Sequence, residues 1–165
     1  PLRTALCFYL VMNDIQEIIE RITKAFDGVS RAGGMTLSQS TALDDGLSEE
    51  DVLAIPITEQ DEKWADVPDK ELEENDFGLA NIDEIGFRYY LPAFMIYSLK
   101  YGEESPSNVC NHTGHMLCSH WDHTDTFSSE QKKAIKKYLK YMRDNRNDWW
   151  AYRALDVWCK DEVSD

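Results

Sequence analysis

Basic side chains are scarce in this sequence: 17 Lys and Arg stand against 31 Asp and Glu, for a formal net charge of −14. A field of that sign repels phosphate backbones, which nucleic-acid-binding proteins neutralise with clustered Lys and Arg, so direct binding of nucleic acid is not expected. Cysteines are few. Cys7, Cys110, Cys118 and Cys159 are too sparse for the disulfide framework of a small secreted scaffold, and a reduced, cytoplasmic setting is expected. Long hydrophobic runs are also missing. The apolar stretch at 6–12 is seven residues long, against the roughly twenty that a membrane span needs. It also lacks the charged start and small-residue cleavage site of a signal peptide, so no membrane partner is expected. Period-two alternation is absent except at 5–11, which allows one short strand. The Gly33-Gly34 turn lacks the lysine and hydroxyl of a phosphate loop and reads as a connector. No complete catalytic motif occurs, which argues against an enzyme.

The charge that is present is concentrated. Residues 44–84 hold sixteen acids against two bases, Lys63 and Lys70, whereas acids and bases balance over the rest. Such a segment can steer a cationic protein and imitate a nucleic-acid surface. Glu59, Asp61, Glu62, Asp66, Asp69, Glu71, Glu73 and Glu74 are the candidate contacts. The leading functional expectation is an acidic, soluble, non-enzymatic interaction protein of inhibitor or immunity type that binds a basic partner; acidity kept for solubility alone is the plainer reading. Adjacent carboxylates such as Asp44-Asp45 and Glu73-Glu74 are expected at this density without any acid–base role. The bases at 132, 133, 136, 137, 140, 143 and 146 fall on an expected helix and read as a solvated face turned toward the acidic segment.

The length fits one domain. Met12-Asn13-Asp14 reads as a natural start, which makes residues 1–11 an upstream extension and 12–165 a single helical domain. The competing reading of 1–11 is a first strand or an early part of the first helix. Asn13 or Asp14 caps a helix carrying Ile15, Ile18, Ile19, Ile22, Ala25 and Phe26 and ending at Gly28. Short helices are expected at 36–45 and from Ser48. Val67-Pro68-Asp69 breaks two further pieces, which Trp64 and Leu72 anchor to the core. The stretch 82–101 is the most apolar, and Pro92 suits the first turn of a central buried helix over 91–100. Ser128-Ser-Glu-Gln131 has the capping-box form, followed by Ile135, Tyr138, Leu139 and Met142 at helical spacing. A last helix over 148–159 carries Trp149, Trp150, Leu155 and Trp158. The expected fold is mainly α, one compact domain of five or more helices with long connecting loops and at most a minor strand near the N-terminus. Its apolar faces come from Ile18, Ile22, Phe87, Phe94, Ile96, Leu99, Ile135, Leu139, Leu155 and Trp158.

All four histidines and two of the cysteines fall at 110–123. Cys110, His112, His115, Cys118, His120 and His123 are six candidate ligands where tetrahedral zinc needs four, although their spacing matches no standard finger, ribbon or metalloprotease signature. The alternatives are a zinc-type binding protein or a polar loop without a cofactor. Cys–His catalysis would require an orienting partner; Asp122 and Asn111 are near in sequence, but no signature surrounds them. Arg88, inside an aromatic run, reads as the partner of a structural carboxylate rather than as an anion site. Tyr89, Tyr90, Phe94 and Tyr97 read as core.

Trp64-Ala-Asp66-Val-Pro68, then Gly86-Phe-Arg-Tyr-Tyr-Leu-Pro-Ala-Phe-Met95, then Phe127-Ser-Ser-Glu-Gln131 opening a helix, and a Trp near the C-terminus, follow one another in an order that carries a resemblance. Over roughly residues 13–158 the chain resembles an uncharacterised family of small bacterial proteins, a domain of unknown function. The resemblance implies a compact, soluble, intracellular bacterial domain and supplies no activity, ligand or catalytic residue. The Cys/His window lies outside the shared pattern.

Overall fold

Ile18 and Ile22 lie one turn apart on helix α1 (Leu2–Ala25), and Phe26 continues the row just past its end; all three are fully buried. The row is the one expected, but the helix starts well before Asn13. The computed structural model describes residues 2–57, 63–119 and 121–159. In it, residues 5–11 are part of α1 rather than a strand. No Pro or Gly precedes Gly28 except Pro1, so local sequence gives the helix no reason to stop at Asn13.

Two short helices follow. Thr36 caps α2 (Leu37–Asp44) in a capping box with Gln39, and Ser48 caps α3 (Glu49–Leu53) by accepting from Asp51 N. A 3₁₀ turn at Trp64–Asp66 precedes α4 (Asp69–Glu74), with Val67-Pro68 as the break between them. Trp64 and Leu72 anchor this layer as expected. Both are buried, and Trp64 Nε1 donates to Phe26 O at 2.8 Å.

The central helix, α5 (Glu84–Tyr101), starts earlier than expected and carries Pro92 in its middle rather than its first turn. Asp83 sets the start. Its Oδ1 accepts from Gly86 N at 2.7 Å and its Oδ2 from Met35 N at 3.0 Å, so one carboxylate caps the helix and pins the preceding loop. Gly86 is needed where that loop crosses, because a Cβ there would stand 2.7 Å from Met35 O. Pro92 deprives Arg88 O of a helical donor. Packing offsets that loss: Tyr89, Tyr90, Leu91, Phe94 and Met95 around it are fully buried.

Helix α6 (Val109–Ser119), a 3₁₀ turn at Trp121–Thr126, helix α7 (Ser129–Arg146) and helix α8 (Trp149–Trp158) complete the described chain. Ser128 and Gln131 form the expected capping box on α7, and Asp148 caps α8. Helix α1 packs on α5 and α7, α5 on α6, and α8 on both α6 and α7, which closes a ring of five helices around one core. Phe127, just before α7, is its meeting point. Its ring lies at steep angles to Phe26, Phe87 and Trp158, with centroids 6.2, 6.3 and 5.5 Å away. The expected core residues are buried, except that Ile96 is only partly so. The fold is therefore mainly α and a single compact domain, with no strand among the described residues. Within them, no helix is long and apolar enough to cross a membrane.

Candidate functional site

The window read as a Cys/His loop is helical as far as Ser119. Val109, His112, Thr113, Met116 and Leu117 form the inward face of α6, a helical period that is visible only when His112 and Thr113 count as core positions. Cys110, half-buried, donates its thiol to Gly102 O at 3.1 Å; burial pushes its pKa up, against the pull of the Arg146 charge. His112 lies on a different side of the helix. Its Nδ1–H donates to Asp76 O at 3.0 Å and its ring lies 4.3 Å from Phe77. Burial holds the His112 pKa down against that hydrogen bond. His115 rests on Trp150 at 4.3 Å, and its centroid is 5.7 Å from that of His112. Cys118 is half-buried against the core. The four described candidates thus turn to four surroundings, and no three His, Cys, Asp or Glu gather at ligating distance among the described residues. His120 and the side chain of His123 lie outside the described residues.

The acidic layer has its own geometry. Asp69 and Glu73 stand one turn apart on α4, opposite Tyr101 and Tyr97, one turn apart on α5. Tyr101 Oη donates to Asp69 Oδ2 at 2.6 Å and Tyr97 Oη to Glu73 Oε1 at 2.7 Å, so the two helices are laced in register. Burial raises the Tyr97 pKa, and Glu73 adds to the rise against the opposing bond from Ser105. Other acids hold further seams: Asp44 accepts from Asn81 Nδ2, and Asp76 from Asn108 N. Glu74 pairs with Lys70 at 3.3 Å, Glu71 is half-buried, and Asp66 is exposed. Glu59, Asp61 and Glu62 lie outside the described residues. Sequence reasoning located this layer but missed that several of its carboxylates are acceptors for its own fold.

Three bases of α7 pair with acids outside the acidic segment: Lys132 with Asp125, Lys133 with Glu130 and Lys137 with Glu17. Arg88 Nη1 donates to the backbone oxygen of Thr126 at 3.5 Å. The aromatic residues of α5 are core, as read. Sequence also missed a cleft where the turn between α7 and α8 meets the start of α6, lined by Cys110, Asn111, Arg146, Asn147, Trp149 and Trp150 among others. Its residues come from three separate segments, which no local pattern joins.

A ring of five helices with an acidic layer laced to its central member defines the molecule as a small all-α domain. The chain belongs to a family of unknown function (DUF6714), which matches residues 14–161, from within α1 past the end of α8. No curated protein and no solved structure matches it.

Proposed function

We propose that this chain is a non-enzymatic interaction protein, of inhibitor or immunity type, that captures a basic protein through the face built from α2, α3 and the 3₁₀ turn leading to α4. The observation that carries the reading is a pair of aliphatic side chains left in water inside the most acidic part of the sequence. Leu53 is 77% exposed and Ile57 61% exposed, directly after the exposed acids Glu49, Glu50 and Asp51. Acids kept only for solubility need no apolar companions, and exposed aliphatic residues work against solubility. Together they form what a cationic partner with an apolar strip would recognise: charge steers the encounter, and buried aliphatic surface holds the complex. Asp69 and Glu73, bonded to tyrosines of α5, lie in the same acidic layer and add to the field without needing to touch the partner. Sparse cysteines and a balanced scaffold suit a bacterial cytoplasm.

Affinity capture at low and moderate salt tests this with two variants: Glu49→Gln with Glu50→Gln and Asp51→Asn, and Leu53→Ser with Ile57→Ser. The wild type is expected to retain a basic protein at both salt concentrations. The charge variant should lose it at moderate salt, and the aliphatic variant at both. Retention of no basic protein at low salt, or equal retention by all three chains, sinks the reading.

A further inference from the structure

Arg146 is out of keeping with the rest of this molecule. Acids outnumber bases almost two to one, and surface bases find carboxylates readily: Lys70, Lys132, Lys133, Lys137 and Arg143 all do so. Arg146 makes no ion pair among the described residues, although it is half-buried and its Nε is buried without a hydrogen-bond partner. A buried guanidinium nitrogen with no hydrogen-bond partner among the described residues is a standing cost to the fold. The nearest carboxylate in sequence, Asp148, makes no ion pair with it: Oδ1 accepts from Trp150 N at 2.8 Å and Ala151 N at 3.1 Å as the cap of α8, and Oδ2 lies beside Gly114. The guanidinium is also held in place. It lies over Gly102, with Nη1 2.6 Å from where a Cβ on that residue would stand, at the edge of a cleft of about 500 Å³.

The other walls of the cleft say what accompanies the anion. Trp149 is 60% exposed and stands edge-on to Trp150 at 4.7 Å, which gives a flat apolar surface beside the charge. Asn111 and Asn147, both exposed, offer amides at the rim. Asp148 also lines the cleft, but its Oδ1 is taken by the α8 cap and its Oδ2 lies against Gly114, so a guanidinium, two amides and an indole wall are the groups left for a small molecule with an oxyanion at one end and a planar body. We infer that this cleft binds an organic oxyanion, with a carboxylate or phosphoryl group on Arg146 and a flat ring against Trp149. The site shares no residue with the acidic partner face, so either proposal can fail alone.

Benzoate, phenyl phosphate and neutral benzamide are the probes, titrated against the intact chain and followed by amide NMR shifts and tryptophan fluorescence. At least one of the two anions is expected to bind saturably and to shift residues 102, 111 and 146–150, while benzamide does not. Preference between benzoate and phenyl phosphate separates a carboxylate from a phosphoryl ligand. Arg146→Gln should weaken that binding by about tenfold or more, the scale of a lost charge-assisted pair. Trp149→Ala, at an exposed position with little risk to folding, should weaken it while leaving the far-ultraviolet circular dichroism unchanged. Saturable binding of neither anion, equal binding of benzamide, or undiminished binding by both variants overturns the inference.

Discussion

His112 is held neutral by its position. Its Nδ1–H is spent on Asp76 O, Phe77 covers its ring, and burial keeps the pKa below its ordinary 6.5 despite Asp76 and Asp44, while His115 adds to the fall. The unfolded chain therefore takes up the proton first as pH drops. The stability linked to this group is complete above pH 6.5 and drains as pH falls below it toward the lower folded value. The urea midpoint of the wild type should fall between pH 7.5 and 5.5 by more than that of His112→Gln, and equal falls would remove His112 as the cause. The same side chain explains why the window was read as a loop and not as the helix that runs to Ser119. A histidine facing a core breaks the apolar period by which a buried helix face is recognised in sequence.

Capping chemistry was the most legible feature at the level of elements, and weak helix formers the least. Thr36, Ser48, Ser128 and Asp148 each announce a helix that forms. Helix α6 carries Asn111, Thr113 and Gly114, all poor helix formers, and is held by the burial of Val109, Met116 and Leu117 against its neighbours, so tertiary packing overrides propensity there. In α5 the proline drew attention away from Asp83, the true start. Because Asp83 accepts from two backbone amides in two segments, Asp83→Ala should cost about 1–2 kcal/mol, and Asp83→Asn, which retains one acceptor oxygen, distinctly less. Urea unfolding of the three chains measures this; equal midpoints would mean that water serves both amides as well as the carboxylate does. The candidate cleft was illegible for another reason. Gly102, Cys110 and Arg146 become neighbours only when α5, α6 and α7 have packed.

Closure of the ring makes each helix depend on two others across the whole molecule, and Phe127 touches aromatic groups from α1's end, α5 and α8 at once. Phe127→Ala should cost about 3–5 kcal/mol, the usual range for an aromatic removed from a core. Circular dichroism and tryptophan fluorescence should still report one coincident transition, as a single cooperative domain requires. Separated transitions would show that α7 and α8 fold apart from the rest. The lacing of α4 to α5 has a consequence for descent. At the exposed Glu49, Glu50 or Asp66, mutation is free to redistribute charge, but at Asp69 and Glu73 an exchange to lysine would remove the acceptor to which each phenol donates. Oxygen at those two positions is thus an inheritance of the attachment. In relatives of this chain they should remain acceptors even where the exposed acids have drifted.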